Sequence, residues 1–155
     1  MPRIDLDSIE QVNRTGYPPP FNEDVKGRFY RRLSPPAGLT DFGASHVVLK
    51  PGAWSSQRHW HDGEDEFLVM LSGEAVLVED DGRTVLRAGD CAAWRKGTGV
   101  GHHLINESGE DCAFIVIGGG TNTGGGYSDI DMLFTAEGGY THKDGTPYPD
   151  TKRTA

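Results

Sequence analysis

An all-β barrel or sandwich is the fold class this sequence predicts, and three observations predict it. The 155 residues carry 22 glycines and 9 prolines against 35% hydrophobic residues, a balance that suits many turns better than a helical bundle. The apolar runs are short, and several alternate apolar with polar residues as half-buried strands do. Turn signals recur between them, and no stretch holds a convincing helical period. The length suits one domain with a core of its own, divided into an arm over residues 1–27, a β-barrel over 28–118 and a loop-rich tail over 119–155.

The arm contains Tyr17-Pro18-Pro19-Pro20-Phe21, which forbids a regular helix or a central strand. It is expected to lie over the barrel or to reach a partner subunit. Arg28 to Leu33 reads as a first strand, Ser34-Pro35-Pro36-Ala37-Gly38 as a loop, and Phe42 to Lys50 as a second strand. Pro51-Gly52 then turns the chain into a segment expected to alternate as far as His61. That alternation puts Ser55, Gln57, His59 and His61 on one side, with Arg58 and Trp60 on the other. Asp62-Gly63-Glu64-Asp65 is the expected turn into Glu66 to Ser72, where Glu66, Leu68 and Met70 face inward.

Ala75 to Glu79 and Thr84 to Leu86 form a hairpin about Asp80-Asp81-Gly82. Cys91 to Trp94, His102 to Asn106 and Cys112 to Ile117 complete the series. On the second of these His102, Leu104 and Asn106 share a face, with His103 and Ile105 opposite. The glycine-rich run 118–126 lacks the Gly-Lys-Ser/Thr of a phosphate cradle and reads as a flexible loop.

The chemistry centres on His59-Trp60-His61. Two imidazoles on one strand face stand about 6.7 Å apart along the backbone, near enough to lean onto one ion at about 2.0–2.1 Å from each nitrogen. Glu66 on the next strand completes a third corner; Glu64 is the alternative, but it falls in the turn.

Gly52, His59, His61, Glu66 and Gly73 stand in the order Gly-x6-His-x-His-x4-Glu-x6-Gly. This resembles the first motif of the cupin superfamily, off by one residue in its first spacer. Gly89-Asp90 and His102-x3-Asn106 stand where the second motif should be, with Arg95 in place of the usual proline and Gly97 to Gly101 lengthening the approach to the histidine. The segments Tyr127 to Met132 and His142 to Tyr148 are similar to the end of small bacterial single-domain cupins, some described as sugar-phosphate-isomerase-like.

The resemblance implies a double-stranded β-helix, or jelly roll. It also implies a metal held by His59, His61, Glu66 and His102, with His103 as the alternative to His102. One divalent transition metal per chain is expected, Fe, Mn, Ni, Co or Zn, because a mixed nitrogen and oxygen donor set does not choose among them. Ligating histidines must be neutral, so the metal is expected to leave below about pH 6.

Three functions fit these residues. The first is an isomerase, epimerase or lyase of a small polar metabolite, working through a metal-stabilised enediolate. The second is an Fe(II)-dependent dioxygenase, and the third a non-catalytic binding or sensing module. Gln57 and Tyr127 are the catalytic candidates, and Gln57, Leu68, Met70 and Leu104 are expected to line the substrate pocket. Asp129, His142 and Lys143 in the tail either supply acid and base groups or cap the barrel mouth.

Composition excludes other classes. A net charge of −8 and a pI near 5.1 argue against nucleic acid, and the basic cluster Arg28, Arg31 and Arg32 reads as a solvated edge or a dimer contact. No apolar run approaches the roughly 20 residues of a membrane span, and no leader opens the chain. A cytoplasmic protein with a small-molecule ligand is expected. Cys91 and Cys112 sit in apolar runs and are expected in the core. A homodimer would cover the arm and the exposed strand edges.

Overall fold

Residues 3–150 are described by a computed structural model. Twelve strands follow one another: β1 (Arg28–Arg32), β2 (Phe42–Leu49), β3 (His59–His61), β4 (Glu64–Ser72), β5 (Glu74–Glu79), β6 (Gly82–Arg87), β7 (Cys91–Trp94), β8 (His103–Ile105), β9 (Cys112–Gly120), β10 (Gly125–Tyr127), β11 (Leu133–Phe134) and β12 (Tyr140–Thr141). The helical content among the described residues is two single 3-10 turns, Leu6–Ser8 and Glu23–Val25. No helix there is long and apolar enough to cross a membrane.

Alternation decides how the strands assemble. One antiparallel sheet runs β1-β2-β9-β4-β7 and a second runs β6-β5-β8. A third, β12-β11-β10-β3, meets the second through the bridge between His59 and His102. Inward residues of the first sheet, including Leu49, Leu68, Met70 and Phe114, pack with Leu77, Leu86 and Leu104 of the second. Each such side chain contributes about 1.5–3 kcal/mol by leaving water. In this register Glu66 is opposite Gly118 and Trp94, while Leu68 is opposite Val116 and Ala92. The carboxylate therefore stands at one end of an otherwise apolar column.

A second core joins the arm to the tail. Tyr17 and Val25 pack with Tyr127 and Met132, flanked by Phe21, Phe134, Tyr140 and Tyr148. Val12 bridges to Tyr30. The described part of the arm thus lies on its own barrel.

Four local expectations need correction. Residues 51–58 are turns and bends rather than strand, apart from a bridge at Trp54. Their backbone is tied elsewhere: the Trp54 N–H donates to the Asp24 carbonyl and the Ser55 N–H to that of Leu104. Glu64 opens β4 instead of sitting in the turn. The glycine-rich run is largely strand, in β9 and β10. A Cβ on Gly125 would lie 2.0 Å from the Trp60 carbonyl oxygen and one on Gly126 2.4 Å from the Trp60 indole, so these glycines serve close packing. Finally, Cys112 is buried as expected but Cys91 is exposed, because it lies on β7 beside the outward-facing Val69.

Candidate metal centre

β3 is too short to contribute much packing, yet it carries the centre of the site. His59 Nε2 and His61 Nε2 face each other at 3.2 Å. The His59 ring is held from behind: its Nδ1 lies 3.0 Å from the Gln57 carbonyl oxygen and 3.1 Å from Ser56 Oγ. A carbonyl can only accept, so Nδ1 carries the proton and the Nε2 lone pair points into the site. His61 Nδ1 is buried and lies 3.3 Å from Glu64 Oε2, within ion-pair distance but outside hydrogen-bond geometry.

Glu66 closes the cluster. Its Oε1 is 3.3 Å from His61 Nε2 and its Oε2 is 2.6 Å from His102 Nε2. Donor atoms of His59, His61 and Glu66 all lie within 4.8 Å of one another. His102 joins through Glu66 and stacks on Trp94, with centroids 3.9 Å apart and planes 4° from parallel. The Trp94 indole is itself anchored by Nε1 donating to Glu79 Oε1 at 2.8 Å. His102 Nδ1 is buried without a hydrogen bond among the described residues, so Nε2 makes this ring's polar contact.

These groups fit a divalent ion. Two nitrogens bound at about 2.1 Å and at right angles would lie about 3.0 Å apart, close to the observed 3.2 Å. Burial pushes His59 down to about 4, which keeps it neutral and able to ligate. Burial alone would raise the Glu66 carboxyl, but the His102 and His61 imidazoles outweigh it and hold the carboxyl well below its ordinary range. At His61 burial is likewise outweighed, here by Glu66 and Glu64, and its pKa is raised.

The cluster opens into a cavity of about 420 Å³. Leu68 and Leu104 line it, and Tyr127 stands on its wall with its ring 5.9 Å from that of His59. His103 shares the wall, but its Nδ1 donates to the Ser56 carbonyl at 2.8 Å, and His102 is the ring that reaches Glu66.

Two expected pocket residues lie elsewhere. Gln57 is 5% exposed and turns away, its Nε2 donating to the Phe21 carbonyl and to Asp24 Oδ2 at 2.8 Å; the reason is the broken alternation before β3. Met70, one inward step beyond Leu68, belongs to the closed core. In the tail, Asp129 pairs with Arg58, the His142 ring and the Lys143 backbone N–H bond to Asp131, and none of the three lines the cavity. Sequence reasoning missed Trp94, Phe134 and Tyr140 on the wall. None of the three carried a local signal: Trp94 reaches the site through its register with Glu66 across β4 and β7, and that pairing is set by the sheet.

A β-barrel of antiparallel sheets with an imidazole and carboxylate cluster at its mouth defines the class. Residues 45–118 match the model of the cupin domain. A sugar phosphate isomerase of the cupin superfamily from Silicibacter pomeroyi is 40% identical, with 96% of this chain and 97% of that one covered at a TM-score of 0.89. The chain belongs to the cupin superfamily, and its barrel is the jelly roll of that family.

Two more distant structures share the fold. A candidate sugar phosphate isomerase from Acidithiobacillus ferrooxidans is 19% identical, covering 81% of this chain and 84% of that one at a TM-score of 0.67. The polyketide cyclase RemF from Streptomyces resistomycificus is 21% identical, covering 77% and 79% at a TM-score of 0.61. No curated protein matches the chain.

Proposed function

We propose that the chain is a divalent-metal-dependent isomerase, epimerase or lyase of a small polar metabolite, with His59, His61 and Glu66 holding the metal and His102 beside them. The convergence of the three donor residues within 4.8 Å at the wall of the cavity carries this reading. A divalent ion held there would polarise a substrate carbonyl and stabilise the negative charge that develops on its oxygen.

The chain's own contribution is orientation and a proton. Tyr127 is 4% exposed, and burial raises its hydroxyl well above the ordinary range. At neutral pH it is a phenol that can donate to a substrate oxygen, not a base. Leu68, Leu104 and Phe134 form an apolar part of the same wall. The 40% identical protein described as a sugar phosphate isomerase supports polyhydroxy carbonyl compounds as the substrate class. The apolar part of the same wall supports a second reading, an Fe(II)-dependent dioxygenase.

Elemental analysis of tag-free protein beside His59→Ala and His102→Ala tests the metal. One metal per chain, lost from the variants, is expected; a metal-free protein that takes none up removes the proposal and leaves a binding module. Turnover of aldose and ketose phosphates under argon supports the isomerase, whereas turnover that needs oxygen supports the dioxygenase. We also propose a homodimer, since Phe42, Phe67 and Leu71 are 41%, 44% and 46% exposed. Light scattering at the 16.8 kDa of one chain would remove it.

A further inference from the structure

β1 reads Arg28-Phe29-Tyr30-Arg31-Arg32, and alternation splits its three arginines between two faces. Arg31 turns outward, where Nε donates to the Ile9 carbonyl of the arm. Arg28, Tyr30 and Arg32 face the other way, in register with Leu49, Val47 and Ser45 of β2. They line a second cavity, of about 830 Å³, together with Arg14 from the arm. This cavity adjoins the first, and Tyr17, Arg28, Tyr30 and Tyr140 stand on the walls of both.

The charge on this wall runs against the whole chain. Three guanidiniums, Arg14, Arg28 and Arg32, face two carboxylates, Glu137 and Asp150, in a protein of net charge −8. Arg14 has an ion pair with Glu10 at 3.7 Å, outside the cavity lining. Among the described residues no carboxylate pairs with Arg28 or Arg32. Arg28 is held by backbone oxygens, Nη1 donating to Ser55 at 2.8 Å and Nη2 to Arg14 at 3.1 Å, while its buried Nε has no hydrogen bond. A guanidinium fixed by neutral carbonyls keeps its full charge for a ligand, and its planar fork suits a tetrahedral oxyanion.

We infer that this wall is an anion subsite taking the phosphate of a phosphorylated polyhydroxy carbonyl substrate whose carbonyl end lies at the metal cluster. The carbonyl end rests on the function proposed above; the phosphate end rests on β1 and the arm alone. Arg28 grips from the boundary between the two cavities, and Arg14 and Arg32 complete the outer wall.

The test uses the full chain, with and without added metal, titrated calorimetrically with inorganic phosphate and with acetate. Arg14 and Arg32 are exposed, so Arg14→Gln/Arg32→Gln is expected to keep its melting transition, and a melting curve checks this. Phosphate should bind saturably in both metal states, about tenfold more weakly in the double variant, and acetate should bind more weakly than phosphate. No saturable phosphate binding, equal affinity in wild type and variant, or acetate matching phosphate overturns the subsite. Phosphate bound by a protein that takes up no metal keeps the subsite and rejects the metal reading; metal bound without phosphate does the reverse.

Discussion

Between β5, β6, β8 and the inner side of β2, β4 and β9 the barrel is filled by aliphatic and aromatic side chains such as Leu49, Leu77, Leu104 and Phe114. Beneath the arm and tail, a few residues away, the lining changes to the hydroxyls of Tyr17 and Tyr127, the imidazoles of His59 and His61, and Phe134. The closed half asks nothing of its neighbours except shape, because it buries few groups that need a partner. Polar groups in the open half need one, and several partners come from distant parts of the chain: Gln57 bonds to Phe21 and Asp24, and His102 to Glu66. The difference separates a half that supplies stability from a half that supplies chemistry, with Glu66 and Leu68 on one strand marking the border.

That division can be broken from either side. Leu49→Ala, at a position with no exposure, should lower the unfolding free energy by about 3 kcal/mol in denaturant titrations while leaving metal content per folded chain unchanged. Glu66→Gln should act chiefly on the metal: loss of a partner to a ligand already costs about 10–100-fold in metal affinity, and a direct donor should reach the upper end or beyond. If both variants changed both quantities equally, the two halves would be one unit. Tyr127→Phe should keep the bound metal and the fold but slow turnover about a hundredfold, seen in kcat rather than KM.

Smaller effects sharpen the border. Gln57→Ala should cost about 1–2 kcal/mol, since it leaves the half-buried Asp24 without that partner, and hydrogen exchange in the arm should rise while metal content holds. In metal-free protein, proton NMR should find His59 titrating near 4 and His61 above the ordinary 6.5. The two act on stability with opposite sign. His59 refuses a proton that the unfolded chain accepts, so its contribution is complete above 6.5 and is lost as pH falls toward 4. His61 favours its proton, so its contribution is present below 6.5 and is lost as pH rises through its raised value. Both rings titrating together near 6.5 would mean that the cluster is not formed in solution.

Much of this was legible along the chain. The strand series, the inward parity of Glu66 and Leu68, and the spacing of His59 and His61 are local properties set by period-two geometry. Alternation failed over 51–58, where backbone N–H groups found carbonyls in the arm and in β8 instead of a ladder; Gln57 was misplaced for that reason. Glu64 was misread because the turn needed only Asp62 and Gly63. The glycine-rich run was misread because its reason for glycine, the Trp60 backbone and indole, lies on another strand.

By itself the sequence determined that this is a β-barrel carrying two histidines and a carboxylate at one mouth, because strand alternation and short turns are decided within a few residues. Only the tertiary structure decided what surrounds them. Trp94 stacks on His102, Tyr127 and Tyr140 wall the cavity, and Arg14 joins Arg28 and Arg32. These residues meet across long stretches of chain, where packing and register bring them together and no local period records it.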